Sequence, residues 1–164
     1  MAKKQAKKDL VCVIPSDSRD VATIHRIDEE CFEGAAKSRK WFSNLLLTEE
    51  DTAICYIAKQ VGTGKTLGYI LAEQVVSGVQ IKRIAVLPMY RRRGHGRQLF
   101  SQLMLEKPEG IGPFTANVPE GMLNAQLFFK GLGFLCVKIR SNYFRDSGED
   151  AFVFEFTEGI SHDV

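Results

Sequence analysis

The sequence predicts a mixed α/β domain in which about four helices flank a central, mostly antiparallel sheet of about seven strands. Two observations predict this fold class. Segments rich in β-branched and aromatic residues alternate with amphipathic segments of helical period along most of the chain. In the middle of the chain, three strand-like segments are joined only by short turns, and strands connected in this way pair antiparallel. A chain of 164 residues, 45% of them apolar, is long enough to bury one core.

The first part of the chain predicts one strand and two helices. "LVCVI" (residues 10–14) is an apolar run that ends at "PSDS", whose Pro, Ser and Asp favour a turn and a helix N-cap. Residues 19–32 place apolar side chains on one stripe at helical spacing, namely Val21, Ile24, Ile27 and Cys31. After the break "EGAAKS", the stretch "RKWFSNLLL" begins a second, shorter helix.

The next part predicts three strands in an antiparallel meander. The strands cover residues 52–60, 66–76 and 79–87, and the turns between them read "VGTGK" and "SG". "GTGKT" resembles the end of a phosphate-binding P-loop, but the first glycine of that motif falls on Lys59. The stretch also lies between two strands instead of between a strand and a helix, so we interpret it as a hairpin turn.

The remaining elements are two helices and three strands. A glycine-rich loop leads into an amphipathic helix over residues 97–107, which Pro108 and Gly110 end. "PFTANV" predicts a strand, "EGMLNAQLFFKGL" a helix, and "FLCVKI" and "AFVFEF" the two final strands. The predicted order is therefore β-α-α-β-β-β-α-β-α-β-β.

Domain organisation follows from the same pass along the chain. We expect one domain over residues 10–158, with a disordered basic tail over residues 1–9 and a C-terminal tail over residues 159–164. The sequence leaves the oligomeric state open between a monomer and a homodimer.

Charge and composition restrict the class of protein. The formal net charge is only +2, and four of the positive charges are lysines in "MAKKQAKK", which argues against a dedicated nucleic-acid binder. The apolar runs are too short to span a bilayer, and no apolar segment follows the basic N-terminus, so we expect no membrane partner and a cytoplasmic location. The four cysteines are widely separated, which predicts neither a metal site nor a disulfide framework.

"RRRGHG" (residues 91–96) predicts an anion site. A strand, a tight loop with glycines at 94 and 96, and then a helix start leave main-chain N–H groups without internal partners. Those groups and the helix dipole favour an anion, and glycine lets phosphate oxygens approach the main chain closely. A dinucleotide-binding motif requires a third glycine where Leu99 stands, and a parallel sheet before it. The pattern therefore favours a pyrophosphate-binding loop in a fold other than the dinucleotide-binding one.

The residues around this loop carry a family resemblance. "IAVLPMYRRRGHGRQL" resembles the acetyl-CoA signature of the GNAT family of N-acetyltransferases, in which a strand ending in Val-x-Pro precedes Arg-x-x-Gly-x-Gly. The resemblance covers residues 10–156, because the element order is also that of the family and "GLGF" is similar to its Gly-Phe after the fourth helix. "NYF" and "GEDAFVFEF" resemble more narrowly the protein N-terminal acetyltransferases, including the bacterial ribosomal-protein alanine acetyltransferases.

The resemblance implies the GNAT fold and acetyl-CoA as cosubstrate. Backbone groups of one strand segment would bond the pantetheine arm: Ile84, Ala85 and Val86. The main-chain N–H groups that would hold the pyrophosphate belong to Arg92, Arg93, Gly94, His95, Gly96 and Arg97. Arg91, Arg92 and Arg93 are also candidates for the 3′-phosphate, although any one of them can instead be solvated. His95 lies at the variable position of the motif, and we expect a surface histidine there.

The family reaction, direct attack of an amine on a thioester, needs a proton acceptor and a proton donor. The usual positions are occupied by residues that cannot ionise, namely Gln80, Asn117, Met122 and Phe129. Glu73 and Tyr143 are the candidates that remain for catalytic residues. Each has a plain alternative, because Glu73 also fits a solvated carboxylate on a strand face and Tyr143 a packed aromatic residue.

The expected reaction is acetyl transfer to a primary amine, and the resemblance favours a protein or peptide N-terminus as acceptor. A small-molecule amine or a lysine side chain is the alternative, because the loop "CFEGAAKSRKWF" lacks the Phe-x-x-Pro-Trp pattern of the ribosomal-protein enzymes. The missing acid and base also allow a catalytically reduced acyl-CoA-binding module. A nucleic-acid binder that uses Lys3–Lys8 and Arg91–Arg93 ranks last.

Overall fold

A computed structural model of the protein describes residues 10–47 and 52–158. The two predicted tails, residues 1–9 and 159–164, lie outside the described residues. Within the described part of the chain are seven strands: β1 (Val11–Pro15), β2 (Ala53–Gln60), β3 (Thr66–Val75), β4 (Gly78–Val86), β5 (Phe114–Pro119), β6 (Leu135–Phe144) and β7 (Glu149–Phe156). The same residues form four α-helices: α1 (Val21–Cys31), α2 (Arg39–Leu46), α3 (His95–Leu105) and α4 (Leu123–Gly131).

The strands form a mixed sheet in the order β1-β2-β3-β4-β5-β7-β6. β1 pairs antiparallel with β2, β2 with β3, and β7 with both β5 and β6. β4 and β5 pair in parallel, through Val79 opposite Phe114 and Ile81 opposite Ala116. The predicted fold class and the predicted order of elements are confirmed.

The described residues divide into two compact units. Of the described residues, the first unit takes in those up to Glu73 together with Arg83–Lys107, and the second takes in Gln74–Lys82 and those from Pro108 onward. Strands β3 and β4 each contribute residues to both units. That residues 10–158 form a single domain stays a prediction.

The first unit has its core under α1, as the apolar stripe of that helix predicts. Ile24 and Ile27 are fully buried against residues of β2, β3 and α2, among them Phe42 and Tyr69. Phe42 packs edge-on against Tyr69 with ring centroids 5.9 Å apart. Ser38 begins α2 as its N-cap, since its side chain accepts a hydrogen bond from the Trp41 N–H at 3.2 Å. Burial of each large apolar side chain stabilises the unit by about 1.5–3 kcal/mol.

The second unit has an aromatic core. Phe129 of α4 packs against Phe134 with centroids 5.0 Å apart and stacks on Phe154 at 6.1 Å. Phe156 contacts Phe114 and Phe134 at centroid distances of 6.4 and 5.4 Å. Phe129, the residue at which the resemblance would place the family's general acid, is therefore a core residue of the second unit.

No helix in residues 10–47 or 52–158 has the length and apolar character that crossing a bilayer requires.

The cysteines differ in burial, and this predicts their reactivity. Cys12 and Cys136 are exposed, Cys31 is half-buried and Cys55 is buried. Burial raises the pKa of the Cys55 thiol to about 12 and also raises the pKa of Cys31. Because the thiolate is the reactive form, we expect two rapidly reacting thiols, a slower third, and a fourth at least about a hundredfold slower than the exposed pair. Titration of the folded protein with a chromogenic disulfide reagent measures this.

The matched control is the double variant Cys12→Ser with Cys136→Ser. It should lose the rapid phase and keep the slow ones. A third rapid thiol in the wild-type protein would contradict the burial of Cys31 and Cys55.

Candidate functional site

The glycine-rich loop connects the end of β4 to the start of α3. A short 3₁₀ turn, Pro88–Tyr90, follows the strand, and the chain then passes through two residues of left-handed conformation, Arg92 (φ 62°) and Gly94 (φ 84°). Gly94 is the N-cap of α3. A Cβ built on Gly94 would meet no atom within 4 Å, so the main chain is open to a close approach at that point. Main-chain N–H groups in such a bend and at a helix start favour an anion.

The end of β4 offers backbone groups at its other edge. The Leu87 N–H donates to the Leu67 carbonyl at 2.8 Å, so the backbone groups of Leu87 and Ala85 point toward β3. Alternate residues of a strand point their N–H and C=O groups to opposite edges. Ile84 and Val86 therefore present theirs at the edge of β4 away from β3, which is the edge a pantetheine arm would need.

One of these groups already has partners within the chain. The Val86 carbonyl accepts hydrogen bonds from Arg91 Nε at 2.9 Å and from Cys31 Sγ at 3.4 Å. Arg91 thus ties the glycine-rich loop to the strand that precedes it. Because the Val86 carbonyl already accepts two hydrogen bonds, the predicted bond between Val86 and the pantetheine arm would be made by the Val86 N–H.

The three arginines of the loop differ in what they contact. Arg91 bonds Val86 as described, and Arg93 donates to the Met89 carbonyl at 3.2 Å while its guanidinium lies 5.6 Å from the centre of the Tyr90 ring. The Arg92 and Arg97 side chains are exposed. Two of the arginines predicted to reach phosphate therefore also brace the loop.

The prediction of a surface histidine at position 95 is wrong. His95 is only 3% exposed, and its Nδ1 lies 3.2 Å from Gln98 Oε1. The helix begins at His95 instead of Arg97. Within it, His95 lies four residues before the buried Leu99 and eight before the buried Leu103. Residues at that spacing share a helix face, and the ring therefore joins the apolar stripe of α3.

This burial predicts the effect of His95→Ala. The variant should lower the free energy of unfolding by about 1–3 kcal/mol, because it removes a packed ring from the first unit. Its affinity for acetyl-CoA should stay within about threefold of the wild type, which is less than 1 kcal/mol, since the main-chain N–H groups remain. Denaturant unfolding and isothermal titration measure the two effects. A large loss of affinity in a folded variant would contradict this assignment.

Tyr143 is held beside Asn117. The Asn117 amide donates to the Tyr143 hydroxyl oxygen at 3.0 Å, which leaves the phenolic proton available for donation. Arg140 lies opposite Ala151 and Phe144 opposite Glu149, so residues 141–143 of β6 lie opposite Asp150 alone and form a bulge. Strand β7 lies between β6 and β5 in the sheet. The bulge lets Tyr143 of β6, which is 41% exposed, reach across β7 to Asn117 of β5. This hydrogen bond joins Tyr143, a predicted catalytic residue, to Asn117, one of the residues that cannot ionise at the usual catalytic positions.

The other predicted positions are accounted for separately. Glu73 is half-buried on β3, where it lies opposite Ala53. Gln80 accepts a hydrogen bond from Lys82 Nζ at 3.1 Å, and Met122 is the exposed N-cap of α4. Glu73 belongs to the first unit and Tyr143 to the second.

A buried charged cluster was missed by the sequence analysis. Asp28 is fully buried and accepts hydrogen bonds from Arg83 Nε at 2.8 Å, the Tyr69 hydroxyl at 2.5 Å and the Lys37 N–H at 2.7 Å. Burial, and then the charge of Asp28, raise the pKa of Tyr69 above its usual range. A signal was present, because Asp28 lies four residues after Ile24 and therefore falls on the apolar stripe of α1.

Comparison with known proteins identifies a family for the middle of the chain. The model of the acetyltransferase (GNAT) domain matches residues 51–135. A curated relative, the [ribosomal protein bS18]-alanine N-acetyltransferase of Escherichia coli K12, is 33% identical over 94 residues, which are 55% of this chain and 63% of that protein. The chain thus spans less than two thirds of that relative's length.

Solved structures share the fold. The crystal structure of the ribosomal-protein-S18-alanine N-acetyltransferase from Escherichia coli superposes with a TM-score of 0.76 at 22% identity, over 93% of this chain and 99% of that one. The structure of Arabidopsis thaliana NAA60 in complex with acetyl-CoA gives a TM-score of 0.77 at 17% identity, over 90% of this chain and 99% of that one.

Proposed function

Because the chain belongs to the acetyltransferase (GNAT) domain family, we propose that it transfers an acetyl group from acetyl-CoA to the primary amine of a protein or peptide N-terminus. The observation that carries the cofactor part of this proposal is the glycine-rich loop, with its left-handed bend at Gly94 and open main chain before α3. The family's members are N-acetyltransferases that use acetyl-CoA, and the residues of this loop fit a diphosphate.

The cofactor would lie along the end of β4 and across the start of α3. Ile84 and the N–H of Val86 would bond the pantetheine arm, with Ala85 between them, as a strand bonds its neighbour. The main-chain N–H groups from Arg92 to Arg97 would receive the pyrophosphate, Gly94 and Gly96 at the closest approach. The exposed Arg92 and Arg97 side chains would add charge, while Arg91 and Arg93 hold the loop.

The proposed reaction is the direct attack of an amine on the thioester of acetyl-CoA. The neutral amine attacks the thioester carbonyl carbon and forms a C–N bond, and the oxygen takes up the negative charge. A main-chain N–H of the strand end near Val86 would stabilise that oxyanion. The nitrogen, positively charged after the attack, gives up a proton to the base. The C–S bond then breaks, the carbonyl reforms, and coenzyme A leaves as a thiolate that takes a proton. A thiol with a pKa of about 8.5 needs only modest help at that step.

Tyr143 is our candidate for the proton donor to the thiolate. Its hydroxyl accepts from the Asn117 amide, which fixes the oxygen and leaves the proton free to be donated. Glu73 is our candidate for removing the proton from the amine, directly or through ordered water. Glu73 carries an ionisable carboxyl on β3, the strand next to β4, and Tyr143 lies in the family-like segment "NYF".

The acceptor is proposed to be a protein or peptide N-terminus because the relatives named above are alanine N-acetyltransferases of a ribosomal protein. A small-molecule amine or a lysine side chain is the alternative acceptor. Steady-state thiol release over a panel of peptides with free N-termini, peptides with blocked N-termini and an internal lysine, and small amines separates these acceptors. Turnover confined to the blocked peptides or the small amines would overturn the N-terminal assignment.

A second candidate function is a catalytically reduced acyl-CoA-binding module. The observation that favours it is the chemistry of the family positions, where Gln80 and Phe129 cannot ionise and Phe129 lies in the core of the second unit. This function predicts tight cofactor binding without thiol release on any acceptor of the panel.

Isothermal titration of the folded protein with acetyl-CoA tests the common premise. We expect one binding site per chain. Absence of binding at high micromolar concentrations of acetyl-CoA would overturn both functions. A cytoplasmic location and a monomeric or homodimeric state stay predictions.

A further inference from the structure

The guanidinium of Arg83 contacts both ends of the turn after α1. It donates to Asp28 Oδ1 at 2.8 Å and Oδ2 at 3.1 Å, and to the Ala35 carbonyl at 2.6 Å. It also lies over the Phe32 ring, 3.9 Å from its centre. We call residues 32–37 the post-helix loop. One side chain of β4 therefore binds the end of α1 and two positions of this loop.

The post-helix loop completes the hydrogen bonding of the two charged side chains in this cluster. The Asp28 side chain is 0% exposed and that of Arg83 is 14% exposed. Buried ions are tolerated only when their hydrogen-bonding capacity is filled. The loop supplies part of that capacity, because the Lys37 N–H donates to Asp28 and the Ala35 carbonyl accepts from Arg83. Opening of the loop would leave both ions short of a partner, so the order of the loop and the geometry of the pair depend on each other.

The same cluster bears on the cofactor strand. Arg83 immediately precedes Ile84 in β4, so the direction of its side chain constrains the backbone of the next residue. Cys31, the last residue of α1, donates to the Val86 carbonyl. The segment Ile84–Val86 is thus held from both ends by contacts that begin at the end of α1.

We propose that Asp28 and Arg83 are positioning residues that couple the post-helix loop to the cofactor strand Ile84–Val86, so that cofactor binding orders the loop and the ordered loop tightens cofactor binding. The proposal rests on the proposed function, because it takes Ile84–Val86 as the cofactor strand. The two effects must be equal, since coupling between two equilibria is reciprocal.

Hydrogen exchange measured by mass spectrometry on the wild-type protein, with and without saturating coenzyme A, tests the coupling. The peptides that contain Ala35 and Lys37 report on the loop, because both amides are hydrogen-bonded in the structure. We expect coenzyme A to slow their exchange about fivefold or more. Unchanged exchange with bound coenzyme A would overturn the coupling. Failure of coenzyme A to bind would instead refute the proposed function, so the two failures are distinguishable.

Variants at the ion pair test which residues carry the coupling. Arg83→Met should abolish the coenzyme A-dependent slowing and weaken coenzyme A binding about fivefold. Because this change leaves Asp28 buried without its cation, the double variant Asp28→Leu with Arg83→Met provides a folded sample without buried charge. Arg83→Lys should restore part of the slowing, since it keeps the charge but not the planar fork.

The matched control is Arg19→Met. Arg19 donates to Asp17 through Nε at 3.1 Å and a terminal nitrogen at 2.6 Å, so it has similar bonds at an exposed site of the same unit. It should keep the full slowing and the wild-type affinity. Full slowing in the folded double variant, or equal losses in Arg19→Met and Arg83→Met, would overturn the assignment to Asp28 and Arg83.

Discussion

Gly94→Val is expected to weaken acetyl-CoA binding roughly a hundredfold, equivalent to about 2.7 kcal/mol. Gly94 has φ 84°, which a β-branched residue adopts only with strain, and a Cβ there would lie in the open space that the proposed cofactor placement gives to the phosphate oxygens. Either the main-chain bend changes or the new side chain stands between the N–H groups and the phosphates. Isothermal titration with acetyl-CoA on a sample shown to be folded by circular dichroism measures the loss.

The matched control for Gly94→Val is Gly62→Val in the turn between β2 and β3. Gly62 has φ 92°, and a Cβ there also meets no atom within 4 Å, so the backbone strain is comparable. Its affinity for acetyl-CoA should equal that of the wild type. Equal losses of affinity in Gly62→Val and Gly94→Val, or in His95→Ala and Gly94→Val, would contradict the role of the main chain at Gly94.

Tyr143→Phe is expected to lower kcat about a hundredfold near neutral pH while the affinity for acetyl-CoA is retained. The change removes the proton donor proposed for the leaving thiolate and keeps the ring and its packing against Phe144. The deficit should shrink as the pH rises toward the thiol pKa of about 8.5, because the thiolate then leaves without a proton. Thiol release with saturating acceptor, followed over pH, measures it.

Tyr56→Phe serves as control, since it removes a tyrosine hydroxyl from strand β2 of the first unit and should leave kcat unchanged. Asn117→Ala should lower kcat less than Tyr143→Phe does, because the phenol keeps its proton and loses only its orientation. An unchanged kcat in Tyr143→Phe would remove Tyr143 from the mechanism, and Glu73 would remain as the ionisable candidate.

The order of elements was predictable because the spacing of apolar residues within each segment indicates whether it forms a strand or a helix. The apolar stripe of α1 and the short turns between β2, β3 and β4 depend on local spacing, and the structure has them within two residues of the predicted bounds. The family was predictable from the glycine-rich loop, and that prediction is confirmed. Which residues bind the cofactor and carry the chemistry stays a prediction.

The errors have physical causes at particular residues. The start of α3 was placed too late because its N-cap is Gly94, which has no side chain to signal a cap, and His95 was therefore taken for a loop residue. β6 was predicted over residues 134–139, but it extends to Phe144 because its bulges break the alternation that marks a strand. Asp28 and Arg83 are 55 residues apart in sequence, and no local pattern pairs them.

Strand β6 ends the sheet, and its bulges matter for association between molecules. Leu135, Val137 and Ile139 are exposed there, which would otherwise make this edge a template for strands of another chain. The extra residues after Cys136 and Arg140 interrupt the regular row of backbone donors and acceptors that such a template requires. We therefore expect the distortion that presents Tyr143 to Asn117 also to disfavour edge-to-edge aggregation.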